Sequence, residues 1–347
     1  METKTNLFGM TLAQLQGLCE AEGFPKYAAR QMCDWLYGKG VAELDAMTNL
    51  SLRTRARLAQ VATIERPAPA EVSQSADGTC KYLFPVGGGQ WVEAVFIPND
   101  RDEETTRATL CLSCQAGCRM GCRFCNTGRQ GFHGNLSAAQ ILGQVFGLPE
   151  RDRLTNIVFM GMGEPMDNYD AVMQSLEVLT APWGLAWSPR RITVSSVGVT
   201  PAVLRFVRES QCHLAISLHN AFPAERAALM PAQRAYPLEE LLSLLRQHDW
   251  GGQRRLSFEY TLMQGVNDDL AHAAALARLL RGMRCRVNLI RYHAAPGGDY
   301  RAPSPAAVSA FRDYLMRHGI TCTLRASRGE DIMAACGLLA GRRAAAE

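Results

Sequence analysis

Lysine is scarce in this 347-residue chain: only Lys4, Lys26, Lys39 and Lys81 stand among 37 basic residues. Arginine carries the rest, and its planar fork suits phosphates and bases better than an ammonium does. A codon bias of the source genome would produce the same ratio, and a net charge of only +4 permits a nucleic-acid partner without requiring one. Long apolar runs are absent too. None approaches the ~18 residues of a membrane helix. The amino terminus, METKTNLFGMTLAQ, lacks the charged-then-apolar layout of a secretory signal. A cytoplasmic protein without a membrane partner is expected. There is no internal repeat, and no low-complexity tract beyond the terminal RRAAAE. Ordinary globular composition, 47% hydrophobic and 20% charged, excludes a disordered chain.

Cysteine, by contrast, is plentiful. In a reducing compartment 12 cysteines point to metal or redox chemistry more than to structural disulfides. Cys19, Cys33, Cys80, Cys212, Cys285 and Cys322 are scattered and read as buried apolar residues. Cys111, Cys114, Cys118, Cys122 and Cys125 crowd into fifteen positions, and Cys336 stands near the carboxyl end. Cys118, Cys122 and Cys125 form C-x3-C-x2-C, with Gly117 and Gly121 allowing tight turns between them. Three thiolates suit an iron-sulfur cube with one iron left open. Cys114 as a fourth ligand would instead close a zinc site.

At ~150 residues per domain the length allows about two domains, or one large barrel with appendages. Apolar positions such as Leu12, Leu15 and Leu18 recur at helical spacing, which predicts a small helical accessory domain over residues 1–62. The runs CKYLFPV and QWVEAVFIP predict a hairpin or small sheet within 63–104, set apart from the core by the polar run NDRDEETTR. Residues 105–325 alternate strand-like segments (TLCLSC, NIVFM, RITVSSV, LAISLH, LSFEYTLM, RVNLIRY) with helices near 137–147, 169–179, 201–209, 238–248 and 269–282. Ser137 followed by Gln140 is a capping-box spacing. A helix near 304–319 and the strand-like TCTLRAS follow, and residues 326–347 form a carboxyl-terminal segment. The fold class is therefore α/β: a partial (β/α)6 barrel of parallel strands. Its active site belongs in the loops after the strands. The cysteine loop, GMGEP, Ser195–Ser196 and Ser217–His219 all fall at such strand ends.

CRMGCRFC, with Phe124 before the last cysteine, resembles the signature of the radical S-adenosylmethionine (SAM) superfamily. More closely, CLSCQAGCRMGCRFCNTGRQGF, FMGMGEPMDN, SPRRITVSSVG, LAISLHN, LMPAQRAYP, GVNDD, VNLIRY and DIMAACG resemble, in order, the RlmN/Cfr family of RNA adenine methyltransferases. The resemblance implies a radical-SAM barrel, a [4Fe-4S] cluster on Cys118, Cys122 and Cys125, and two SAM molecules per turnover. The substrate it implies is an adenosine of 23S ribosomal RNA or transfer RNA, unstacked or flipped so that the site can reach it. An electron donor such as flavodoxin or ferredoxin is implied as well, and nothing demands more than a monomer.

The ring carbon, flanked by nitrogens, is a poor nucleophile for ordinary methyl transfer. In the family one SAM methylates a cysteine, matched here by Cys336. A 5′-deoxyadenosyl radical from the second SAM takes hydrogen from that methyl group, and the methylene radical adds to the base. Glu93 matches the general base that then removes the ring proton. Cys111 matches the thiol that frees the product by forming a disulfide with Cys336. Gly163, Glu164, Ser195, Ser217, Leu218 (through its backbone) and His219 match SAM-binding positions. His293 and Gln233 stand where the family usually has Asn, in loops expected to face SAM or substrate. Arg119, Arg123, Arg129, Arg190–Arg191 and Arg254–Arg255 are candidate phosphate contacts. Two alternatives remain open: a radical-SAM enzyme retargeted to another substrate, and a non-catalytic zinc-thiolate RNA-binding module.

Overall fold

A computed structural model describes residues 4–99, 107–250, 254–294 and 298–341. Most of the polar run at 99–107, the boundary expected at 104, and the terminal RRAAAE lie outside them.

The amino-terminal unit holds α1 (Leu12–Ala21), α2 (Ala28–Cys33) and α3 (Leu52–Val61), clasped by β1 (Thr5–Asn6) pairing with β2 (Ala62–Thr63). Thr11 starts α1 with a capping box, its hydroxyl accepting from the Gln14 amide while the Gln14 side chain accepts from the Thr11 amide. The unit packs on the barrel through aromatic edges. Phe8 meets Phe146 at 5.1 Å, and Tyr37 meets Trp183 at 6.1 Å. Phe8, at 2% exposure, contributes on the order of 2–3 kcal/mol of hydrophobic stabilisation.

Next come β3 (Glu71–Gln74), β4 (Cys80–Gly87), β5 (Gln90–Asn99) and β6 (Arg107–Cys111). A small two-stranded element, β7 (Gln115–Gly117) with β8 (Phe132–Asn135), brackets the cysteine loop and the short helix α4 (Asn126–Arg129). The alternation then runs α5 (Ala138–Phe146), β9 (Asn156–Phe159), α6 (Tyr169–Thr180), β10 (Ile192–Ser196), α7 (Thr200–Glu209) and β11 (His213–Ser217). It continues with α8 (Pro223–Leu229), α9 (Leu238–Arg246), β12 (Leu256–Leu262), α10 (Leu270–Leu279), β13 (Arg286–Arg291), α11 (Pro305–Arg317) and β14 (Thr321–Leu324). The capping box expected at Ser137 and Gln140 opens α5.

All of β3–β6 and β9–β14 share one ten-stranded sheet, ordered β14-β13-β12-β11-β10-β9-β6-β5-β4-β3. From β6 to β14 every pairing is parallel. Six crossovers thus join seven strands, because TCTLRAS contributes β14. Thr109 of β6 and Ile290 of β13 line one cavity although four strands separate them, so the sheet curls as the partial barrel requires. The polar run does not set the hairpin apart. β5 pairs antiparallel with β6 from Val95↔Cys111 to Asn99↔Arg107, which makes the hairpin an extension of the barrel sheet. Backbone donors on that edge of β6 need partners, and β5 supplies them.

Candidate active site

Gly117 anchors the cysteine loop at φ +71°, a conformation that favours glycine. A Cβ there would lie 2.0 Å from the Gly131 carbonyl, which instead accepts from the Cys118 amide at 2.7 Å. The loop is tied to the end of α8 by the Arg123 amide donating to Leu229 O (3.0 Å). The Asn126 amide ties it to the carboxyl-terminal segment by donating to Gly337 O (2.7 Å).

Cys118, Cys122 and Cys125 line one cavity together with Gly163, Glu164, Ser195, Ser217 and His219. Residues far apart in sequence meet because each ends a parallel strand or the loop after it. Burial pushes the Cys118 thiol up to about 12 and the Cys122 thiol well above its usual value, and the neighbouring thiols add to both shifts. Only a cationic partner would hold such sulfurs as thiolates. Among the described residues no three Cys, His, Asp or Glu side chains converge on a single ion. Cys114, buried, is not part of the cavity wall, so it offers no fourth ligand there. Three thiols lining one cavity would suit an iron-sulfur cluster with one iron left open.

The rest of the wall fits a sulfonium coenzyme. Glu164 is buried, accepts from the amides of Met166 (3.0 Å) and Val197 (2.9 Å), and is raised by burial to about 7. At Gly163, with φ +98°, a Cβ would collide with Gln115 at 2.6 Å. His219 Nδ1 accepts from the Thr261 amide (2.9 Å), which leaves its proton on Nε2. Burial, reinforced by Arg226, depresses it to about 3, so the ring is neutral. Glu259 also lines this cavity. Its Oε1 accepts from Asn288 (2.7 Å) and Ser257 (3.1 Å), whereas its Oε2 is buried without a hydrogen-bond partner. A buried acceptor in that state is costly unless a ligand supplies a donor, and SAM carries an ammonium group and ribose hydroxyls.

A second cavity opens beside the first, lined by Cys111, His293, Arg107, Arg328 and others. Met160, Ile290, Arg325 and Cys336 belong to both walls. Cys336 is exposed and shares both cavity walls with Arg325. Cys111 is pushed up to about 12 by burial, with Cys336 raising it further and Arg325 opposing. Arg325 also stands 3.8 Å from Glu259 Oε2 and donates to Met160 Sδ at 3.1 Å.

Several expected residues sit elsewhere. Glu93 lines neither cavity. It is 2% exposed, ion-paired with Lys81 (3.0 Å), and its Oε2 accepts from the amides of Ala340 (2.6 Å) and Gly341 (3.1 Å). Leu218 is outside the coenzyme cavity because its backbone is already used: its amide donates to Glu259 O (3.0 Å) and its carbonyl accepts from Arg226 (3.0 Å). His293 lines the second cavity and not the first, bonded to Ser327 at 3.0 Å. Gln233 lines neither cavity. It is buried, accepting from Arg226 and from the Leu238 amide. Arg190–Arg191 and Arg254–Arg255 precede β10 and β12, at the opposite end of the strands, and Arg254 is buried against the carbonyls of Cys212 and Val207. Arg119 stays on the cysteine-loop side, paired with Asp167 (2.7 Å) and stacked on Phe132.

Sequence reasoning missed Glu259, Arg325, Arg226 and Asn267. Their place beside the site is set by non-local packing that the sequence does not show.

Comparison with known proteins follows the same two-part division. Residues 5–64 match the ribosomal RNA large subunit methyltransferase N-terminal domain, and residues 112–277 match the radical SAM superfamily. A protein of Parabacteroides distasonis, named a probable dual-specificity RNA methyltransferase RlmN, is 53% identical over 98% of this chain and 97% of its own length. The dual-specificity RNA methyltransferase RlmN of Syntrophus aciditrophicus is 43% identical over 98% and 97% of the two chains. The crystal structure of a radical SAM methyltransferase from Sphaerobacter thermophilus superposes with a TM-score of 0.89 at 42% identity, covering 97% of this chain and all of that one.

Proposed function

Because the chain belongs to the RlmN family of radical SAM RNA methyltransferases, we propose that it methylates a ring carbon of adenosine in RNA, with ribosomal and transfer RNA as its two substrates. The observation that carries this reading is the shared wall: Cys336 and Arg325 border both the coenzyme cavity and the cavity that holds Cys111. Cys118, Cys122 and Cys125 would hold the cluster, and Glu164, Ser195, Ser217 and His219 would hold SAM in the same cavity. When bound, the cluster and SAM supply the one-electron chemistry that activates an otherwise inert carbon-hydrogen bond.

The chain's own residues do the rest. Cys336 sits where a thiol can carry a methyl group from one cavity to a base in the other, and Arg325 offsets the charge of its thiolate. Cys111, on the wall of the base cavity, resolves the covalent protein-RNA species by pairing with Cys336. Glu93 serves as proton acceptor once the amides of Ala340 and Gly341 release it. A one-electron donor of flavodoxin or ferredoxin type supplies the reductant, and the enzyme works as a monomer. Among the described residues no helix is long and apolar enough to cross a membrane.

Replacing Cys111 by Ala leaves addition intact and blocks release, so RNA accumulates covalently on the protein; replacing Cys336 abolishes the adduct. Mass spectrometry of the purified variants checks both. A Cys111→Ala protein free of RNA after expression with its native target sinks the two-thiol scheme. A retargeted enzyme is the second reading, favoured by His293 on the wall of the base cavity. Nucleoside mass spectrometry of a deletion strain separates it by showing which RNA loses its methyl group.

A further inference from the structure

Arg226 on α8 is a buried cation, 1% exposed, and none of its hydrogen-bond acceptors carries charge. Its Nε donates to Leu218 O (3.0 Å), its Nη2 to Val197 O (2.8 Å) and Ser217 O (2.9 Å), and its Nη1 to the Gln233 side chain. Among the described residues no carboxylate lies within ion-pair distance of it. Glu239 reaches it only through Gln233, whose amide donates to the exposed Glu239 at 3.3 Å. Burial lowers Arg226 only to about 10, so it remains charged at neutral pH. An isolated charge costs several kcal/mol to bury unless a counter-charge compensates it.

The cysteine loop is fastened to the same helix. The loop hydrogen-bonds to the end of α8 at Leu229, Met230 lines the coenzyme cavity, and Gly121 approaches Pro231. The carbonyls that Arg226 Nη2 holds belong to Val197 and Ser217, which line the coenzyme cavity together with Cys122 and His219.

We infer that Arg226 is an electrostatic positioning residue for the cluster, its unpaired charge stabilising the reduced cluster while its forked donors fix the strand-end loops beneath SAM. Gln233 belongs to the same device: it satisfies the guanidinium without neutralising it, as a carboxylate would. Reduction adds one electron from an external donor to the cluster and makes it one charge more negative. No proton moves to or from Arg226. The inference rests on the cluster assignment to Cys118, Cys122 and Cys125.

The test is the midpoint potential of the reconstituted holoenzyme, measured by EPR-monitored titration with dithionite. Arg226→Gln shifts it negative, with about a tenfold loss in the reduction equilibrium constant, or 59 mV for one electron. Gln233→Glu shifts it the same way while leaving Arg226 and its carbonyl contacts in place, so the question survives if Arg226→Gln fails to fold. Arg226→Lys keeps the charge and holds the potential near the wild-type value despite losing the fork. Wild-type potentials in a fully loaded Gln233→Glu protein overturn the inference. So does an Arg226→Lys protein that falls as far as Arg226→Gln. A wild-type chain that takes up no iron and shows no cluster signal overturns the cluster assignment itself, and the inference with it.

Discussion

The two adjoining cavities are built in different ways. The coenzyme cavity is assembled from the ends of successive parallel strands, and its loops are fastened by buried side chains such as Arg226 and Asn267. Asn267 alone bonds His219 O, Thr261 O (2.8 Å) and the Met263 amide (2.8 Å), with no solvent exposure. The thiol cavity depends on residues 325–341, which after β14 form no regular helix or strand within the described residues. That segment is held piecemeal. Asn126 and Thr127 donate to Leu338 O (3.0 Å) and Leu339 O (2.8 Å), Ser75 donates to Asp331 (2.6 Å), and Glu93 accepts from the last amides. The first cavity is fastened mainly to the sheet, whereas residues 325–341 are held by side-chain and loop contacts alone and are expected to open before the sheet does.

The largest effect that would sharpen this contrast is chemical. Cys122→Ala should abolish iron uptake and methylation together, measured by iron content and by product, while the fold survives. A Cys122→Ala protein that retains full iron breaks the assignment. Next is stability. Asn267→Ala strands two carbonyls and an amide, and should cost about 3 kcal/mol in denaturant unfolding. A loss confined to a few tenths would mean that the rim is not fastened there. A smaller and local effect is expected at the tail. Glu93→Gln should weaken the hold on Ala340 and Gly341 by about 1.5 kcal/mol, speeding their amide exchange roughly tenfold with no change in global stability. Equal slowing or quickening throughout the barrel would contradict the division.

The smallest effect is a pH dependence on the fastened side. His272 bridges Glu225 and Asp269, each at 2.8 Å, and Glu225 also accepts from Asn220 beside His219. Burial opposes its protonation, but the two carboxylates outweigh burial and raise its pKa. A raised pKa gives stabilisation that is complete below the unfolded value of about 6.5 and disappears as pH rises through the folded value. The stability advantage of wild type over His272→Gln should therefore shrink from about pH 5 to about pH 8. An advantage that grows over that interval is the wrong sign.

The barrel was legible because parallel strands read as short apolar runs, and because loops with Gly117, Gly163 and the spaced cysteines need those residue types in that order. That Cys118, Cys122 and Cys125 share a cavity with Gly163, Glu164, Ser195, Ser217 and His219 followed from strand ends. Leu218 and Gln233 did not, since nothing in a sequence tells whether a backbone carbonyl or an amide side chain is already taken by a buried arginine. The same holds for the arginines at 190–191 and 254–255: their charge was visible, but not that they precede their strands and so occupy the far end of the barrel. The hairpin looked separate because polarity marks a loop, whereas strand pairing across that loop is a non-local fact.

Glu93 ends up with a double engagement that has a consequence in time. With both lone pairs of Oε2 receiving an amide proton, that oxygen has none left for a third, so the tail and a substrate proton would compete for it. Under the proposed role of Glu93, proton removal from the nucleic acid would then wait until residues 340 and 341 unhook. On that proposal, deprotonation of the target would follow, and never precede, the first swing of the segment that carries Cys336.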